Sequence, residues 1–157
     1  MKHLLNSLLA LAVLVGFSAC ETTKTGTQAA RLAMVEAIKT EPQGDYFIGR
    51  RYYKVDYKFW GYIRKPGQPW TTAKLVMMNE QTKLIPDREA GKMGSDHGSE
   101  YKLLGRFSGD TVYEPASNGF YPEFVLTGYE LRSATPAPIF KTPASNNPQR
   151  RIIAPPY

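Results

Sequence analysis

The segment Ser95-Asp96-His97-Gly98-Ser99 brings the residue types of a hydrolytic triad into one short stretch. A nucleophile, a base and an orienting acid work together only when separate elements hold them in a fixed geometry, and neighbours in a glycine-rich loop lack that support. One histidine without a thiolate partner also offers too few donors for a metal site. We therefore expect no enzyme activity, no metal and no cofactor, with a hydrolase acting around His97 as the alternative.

A second group of residues could bind a ligand. From Tyr53 to Ile63, two sets of side chains alternate with the period of a β-strand that buries one face. Aromatic planes set between cations bind extended polyanions by stacking and by charge. The sequence therefore predicts a binding surface on one side of this strand, beginning next to Tyr52 and formed by Lys54, Lys58, Trp60, Tyr62 and Arg64. The alternative is that a helix or the C-terminal tail covers Trp60 and Tyr62, which makes this side a second core.

The only cysteine, Cys20, follows a leader with the features of an export signal. Lys2 gives the leader a basic start, an apolar run extends from Leu4 to Phe17, and two small residues precede the cysteine. The run has the length of a cleavable hydrophobic region and falls short of the roughly 20 residues that cross a bilayer as a helix. A permanent transmembrane helix is therefore the weaker interpretation.

The residues Phe17-Ser18-Ala19-Cys20 resemble the lipobox of bacterial lipoproteins, in which the cysteine is diacylated and becomes the mature N-terminus. The resemblance covers the leader alone, and Phe17 stands where the family prefers an aliphatic residue. It implies a signal peptide over residues 1–19 and a lipid anchor on Cys20. Two acyl chains give stable membrane attachment, whereas a single chain gives only marginal binding. Since Glu21 and not Asp follows, it also implies the periplasmic side of the outer membrane, not the inner membrane.

The charge and the cysteine content limit the partners and the core. The net charge of +6 favours contact with anionic surfaces. For an exported protein these are lipid head groups, lipopolysaccharide or cell-wall polymers, and no nucleic acid is expected; ordinary solubility is the alternative reason for the charge. With a single cysteine the chain forms no intramolecular disulfide, so packing alone must hold the core.

The length after the leader fits one domain with tails. Residues 20–43 are predicted to form a lipid-anchored tether and a short amphipathic helix over 29–39, where apolar residues recur at helical spacing. Residues 44–132 are rich in aromatic and β-branched residues between Gly and Pro pairs, which is typical of a small β fold. Residues 133–157 contain six of the 12 prolines and predict an extended or disordered tail.

The order of the predicted strands favours a mainly β fold, a small five-stranded OB-like barrel. A curled antiparallel sheet or open meander would give the same periodicity. The expected elements are a long first strand, a hairpin over 71–78 and 83–85, a glycine-rich loop over 87–99, and strands over 100–108 and 124–132, with a short strand over 111–114 between those two.

These features together predict an exported, lipid-anchored envelope protein whose non-catalytic β domain binds a protein or an anionic polymer. Besides the hydrolase around His97, the alternative is a structural subunit of a larger envelope assembly.

Overall fold

The computed structural model describes the backbone of residues 18–157 and the side chains from residue 28 onward. Most of the predicted signal peptide, residues 1–17, lies outside the described residues, and so does the side chain of Cys20. The backbone of Cys20 belongs to helix α1, Ser18–Lys39. No helix in the described part of the chain is long and apolar enough to cross a membrane.

Five strands close into a barrel in the order β1-β2-β3-β5-β4. Neighbouring strands are antiparallel except β3 and β5, which run parallel. This confirms the mainly β barrel, excludes the open sheet, and is consistent with the OB-like prediction. The strands are β1, Phe47–Arg51, β2, Gly61–Arg64, β3, Lys74–Asn79, β4, Glu100–Glu114, and β5, Gly119–Ser133.

The barrel interior is a cluster of large apolar side chains. Phe47 packs edge-to-face against Phe107 and Phe124, with ring centroids 5.5 and 5.1 Å away. Each fully buried side chain of this size contributes about 1.5–3 kcal/mol to folding. The fully buried members are Phe47, Trp60, Ile63, Val76, Ile85, Tyr101, Leu103, Phe124 and Leu126.

The two longest strands, β4 and β5, form a hairpin that bends at Gly105. A register shift lies between Leu104 and Gly105. Gly105 has a φ of 147°, and a Cβ at this position would lie 2.1 Å from the Val125 carbonyl oxygen. Only glycine permits this approach, and such a bulge increases the local bend of a strand. The bend lets one hairpin pair with β1 on one side and with β3 on the other.

The single strand predicted for Tyr53–Ile63 is wrong. The chain leaves β1 at Arg51, reverses through residues 52–60 and enters β2 at Gly61. Within the reversal the Tyr57 amide donates to the Lys54 carbonyl oxygen at 3.2 Å. The two strands approach so closely that a Cβ on Gly61 would lie 2.2 Å from the Arg50 carbonyl oxygen.

The strands β1 and β2 escaped the pattern analysis because they are buried on both faces. Phe47 and Ile63 point into the barrel, whereas Ile48 and Tyr62 belong to a second core outside it. A strand buried on both faces shows no polar and apolar alternation. The polar and apolar alternation that predicted a strand lies mostly in the loop over residues 52–60, where no strand forms.

The remaining strand predictions differ in outcome. β3, β4 and β5 confirm the strands expected around 71–78, 100–108 and 124–132, and the short strand expected over 111–114 is the end of β4. No strand forms over residues 83–85. There Ile85 packs into the barrel interior and the short helix α2, Pro86–Glu89, follows.

Helix α1 ends where the sequence predicts but begins earlier. Residues 21–28, expected to be a tether, are helical. Once a packed segment has nucleated a helix, each further residue adds a hydrogen bond at little cost. Ile38 is buried and Met34 packs against the second core, whereas Leu32 and Val35 are 62% and 46% exposed.

The C-terminal tail, residues 133–157, is extended as predicted, but the prediction of disorder is wrong. After β5 it crosses the outside of the barrel and includes one short helix, α3, Pro143–Asn146. Ile139 and Phe140 are only 1% and 5% exposed, because they fill the second core. The buried members of this core are Ile38, Ile48, Tyr52, Phe59, Tyr62, Trp70, Ile139 and Phe140. Two apolar anchors thus order a segment whose composition alone is typical of disorder.

Candidate functional site

The predicted binding surface on residues 54–64 is not a surface in this structure. Trp60 is 1% exposed inside the barrel, and Tyr62 is 4% exposed in the second core. Lys54 and Arg64 are buried as well, so Lys58 is the one exposed member of the five. The alternative that the tail covers part of this region to form a second core is confirmed for Tyr62.

The two buried cations of that set have structural partners. The Lys54 ammonium donates to the carbonyl oxygens of Ser145 and Asn147 at 2.8 and 2.7 Å. The Arg64 guanidinium makes a two-pronged ion pair with Glu41 at 2.6 and 2.7 Å. The first contact holds the tail, and the second holds the segment that follows α1 against β2.

The triad-like residues around His97 are directed to different partners. His97 accepts a hydrogen bond from the Tyr53 amide at Nδ1, 3.1 Å, and its Nε2 lies 2.6 Å from the Asn146 carbonyl oxygen. These partners are consistent with a neutral ring that is protonated at Nε2. Burial lowers the pKa of His97, and the charges of Lys54 and Arg51 lower it further. With both nitrogens occupied by main-chain groups, the ring links the glycine-rich loop to the loop after β1 and to helix α3.

Asp96 turns away from the histidine and joins a buried ion cluster with Arg51 and Asp87. Arg51 donates to Asp87 at 2.8 Å and to Asp96 at 3.2 Å. Burial raises the pKa of Asp96, and the nearby Arg51 offsets this only in part. Burial acts in the same direction on Asp87, but the charge and hydrogen bond of Arg51, together with the Gly94 and Arg88 amides, outweigh it and lower the pKa. The cluster fastens the glycine-rich loop to β1. Among the described residues, no group of three or more His, Cys, Asp or Glu side chains is placed to hold a metal ion.

A cleft of about 930 Å³ opens between α1, β1 and the tail. We call it the cationic cleft. Helix α1 contributes Gln28 and Arg31, β1 contributes Arg50, the glycine-rich loop contributes His97, and the tail forms the remaining wall with Lys141 among its residues. No Asp or Glu of the described chain lines it.

The cations of the cleft differ in how they are balanced. Neither Arg31 nor Lys141 forms an ion pair within the part of the chain that the structure describes. Arg50 pairs with Glu100 at 2.7 Å, and its buried Nε has no hydrogen-bond partner among the described residues. Burial lowers the pKa of Arg50, and Glu100 partly offsets the effect. The lining therefore carries an uncompensated positive charge.

Arg31 is held in place by the tail itself. Its guanidinium donates to the Phe140 carbonyl oxygen at 3.3 Å and lies 4.1 Å from the centre of the Tyr157 ring. Its buried Nε has no described partner. Because the Arg31 guanidinium is fixed by stacking and by one hydrogen bond, its other N–H groups can donate to an anion.

Sequence reasoning missed the cationic cleft because its cations come from three distant segments. Arg31 lies on a helix, Arg50 on a strand and Lys141 in the tail. The consecutive arginines in the apolar run Phe47-Ile48-Gly49-Arg50-Arg51-Tyr52 were the one local signal, since buried arginines need buried partners. Comparison of the chain with protein-family models, with curated proteins and with solved structures finds no match.

Proposed function

We propose that the chain is an exported envelope protein, anchored to a membrane through acylated Cys20, whose non-catalytic barrel binds an anionic polymer. The leader and the lipobox-like residues before Cys20 support the anchor. The observation that carries the binding role is the cationic cleft, which presents Arg31 and Lys141 without a lining carboxylate.

The position of the cleft suits a membrane-anchored receptor. Cys20 and Arg31 belong to one helix, α1, and eleven residues of helix span roughly 17 Å. The cleft therefore lies close to the point of attachment, within reach of phosphate or carboxylate groups at an envelope surface. The outer membrane, on its periplasmic side, is the proposed location.

A protein partner and an anionic polymer both remain compatible with the sequence, and the cleft favours the polymer. Anionic groups gain charge-assisted hydrogen bonds from arginine, which are about twice as strong as neutral ones. A polymer also carries many such groups, so weak individual contacts add up along the chain. His97, with both ring nitrogens engaged, gives the hydrolase alternative no support.

Titration with polyanions tests the binding role. The probes are heparin and polyphosphate, added to the detergent-solubilised protein at low salt. We expect Arg31→Gln and Lys141→Gln each to weaken binding about tenfold, because each removes a charge-assisted contact worth at least ~1.4 kcal/mol. Added salt should weaken binding by the wild-type chain as well.

The matched controls are Lys58→Gln and Lys92→Gln, which remove exposed lysines outside the cleft. Their binding should stay within about twofold of wild type. Equal losses in all four variants would show diffuse attraction by net charge, and unchanged binding in the two cleft variants would show another site. Either result contradicts the cationic cleft as the binding site.

A further inference from the structure

The tail is held mainly through its backbone. Side chains of the barrel and its loops donate to carbonyl oxygens along most of the tail's length. Tyr52 and Tyr62 supply hydroxyl groups, and Lys54 supplies its ammonium. The other donors are Arg50, His97, Tyr57 and the Val55 amide. The carbonyl oxygens that accept these hydrogen bonds belong to Ala137, Ser145, Asn146, Asn147, Pro148, Arg151, Ile152 and Ala154.

These hydrogen bonds run in one direction. The backbone amides of residues 134–157 that form hydrogen bonds donate within the tail, as from Ser145 to Thr142 and from Tyr157 to Ile139, or to Ser133 at the end of β5. In the described chain none donates to any other barrel residue. Proline has a carbonyl oxygen but no amide hydrogen. A groove that offers donors to the backbone of its occupant therefore suits a proline-containing extended chain.

The floor of the groove is aromatic. Phe140 lies with its ring centroid 4.7 Å from that of Tyr52 and 5.8 Å from that of Tyr62. Trp70 and Phe59 belong to the same core. Aromatic grooves with side-chain donors are a known way of binding proline-rich segments, which lose little entropy because they are already extended.

Little of the tail's own sequence is used. Ile139 and Phe140 are inserted, Ser145 and Pro156 are buried as well, and Arg151 pairs with Asp56 at 2.8 Å. Lys141, Gln149 and most of the other tail side chains are exposed. Backbone carbonyls are common to every peptide. Contacts of this kind tolerate other sequences, provided that two adjacent apolar residues occupy the positions of Ile139 and Phe140.

We propose that this groove is a recognition site for extended, proline-containing peptide segments, with the tail as its resident occupant, and that a similar segment of a partner protein displaces the tail. The site goes beyond the binding of anionic polymers: it shares Arg50 and His97 with the cationic cleft, but its contacts are made to the backbone and apolar side chains of the tail. Because the resident tail is tethered, it competes at an effective concentration in the millimolar range. Displacement therefore requires a partner segment held nearby or present at high concentration.

Exchange of a nicked tail tests this proposal. A protease site placed between the exposed residues Ala134 and Thr135 of the full chain allows the tail to be cut while it is docked. A labelled synthetic peptide of residues 137–157 is then added. We expect the labelled peptide to replace the cut tail, and a peptide with Lys141, Gln149 and Arg150 replaced by Ser to bind within about threefold of it.

The control peptide carries Ile139→Asp and Phe140→Asp, and we expect it to bind at least about 100-fold more weakly because both apolar anchors are lost. Hydrogen exchange on the uncut chain gives an independent readout. The Tyr157 amide should exchange through a local opening, faster than amides of β4 and β5. A tail that never exchanges, a control peptide that binds equally well, or a Tyr157 amide as protected as the barrel would each overturn the proposal.

Discussion

Replacing Trp60 with alanine is expected to lower the free energy of unfolding by about 3–5 kcal/mol. The indole is 1% exposed and packs inside the barrel against Tyr101, with ring centroids 6.3 Å apart. It also fits so tightly against β1 that a Cβ on Gly49 would lie 2.7 Å from its ring. The cavity left by truncation cannot be filled, since the surrounding strands belong to a closed barrel. Urea denaturation followed by circular dichroism measures the loss.

The matched control is Phe120→Ala, which removes an aromatic ring that is 70% exposed near the end of the β4–β5 hairpin. Its effect should stay within about 0.5 kcal/mol. The binding surface predicted from the sequence requires the opposite behaviour, in which Trp60→Ala leaves stability unchanged and weakens a salt-sensitive interaction. That result would contradict the barrel interior described above.

Replacing Arg51 with methionine is expected to cost a similar amount, about 3–5 kcal/mol. The Arg51 and Asp87 side chains are 3% and 0% exposed, and Asp96 is also buried. Removing the guanidinium leaves two buried carboxylates without a counter-charge. It also removes a hydrogen bond from Arg51 to the Trp60 carbonyl oxygen at 2.5 Å. The control Arg88→Met breaks an exposed contact with Glu80 and should cost less than about 1 kcal/mol.

The pH dependence distinguishes loss of charge balance from loss of packing. In the wild type the pKa of Asp87 is lowered, so its contribution to stability is present above the unfolded value of about 3.9 and is lost as the pH falls through the folded pKa. Without Arg51, burial is expected to raise the pKa of the two buried carboxyls, so the variant should gain stability as the pH falls towards their unfolded values. The difference between wild type and Arg51→Met should therefore shrink from pH 7 to about pH 4. A constant difference would contradict the ion-cluster explanation.

The strands that could be predicted from the sequence are those with one face exposed to water. β3, β4 and β5 alternate because one side of each meets water, and their positions were predicted within a few residues outside the hairpin end. β1 and β2 are buried on both faces, so the same method had no signal there. Because the first strand was predicted in the wrong place, the binding residues predicted on it lie in a loop or in the two cores.

The candidate site could not be predicted for a different reason. Arg31, Arg50 and Lys141 meet only because the tail crosses the barrel beside α1. The contacts that hold the tail use carbonyl oxygens as acceptors, and these have no sequence signature. Composition correctly indicated an extended tail, but the donors that order it are side chains of β1, β2 and the loop between them.

We propose above that this domain works at a membrane surface, attached through Cys20. Intact mass measurement of the N-terminal peptide from membrane-extracted protein tests it most directly. We expect a peptide that begins at Cys20 and carries a diacylglyceryl group, which would restrict the anionic partner to the cell envelope. An uncleaved or unmodified N-terminus would contradict the anchor, and nucleic acid would then join the polyanions to be tested against the cationic cleft.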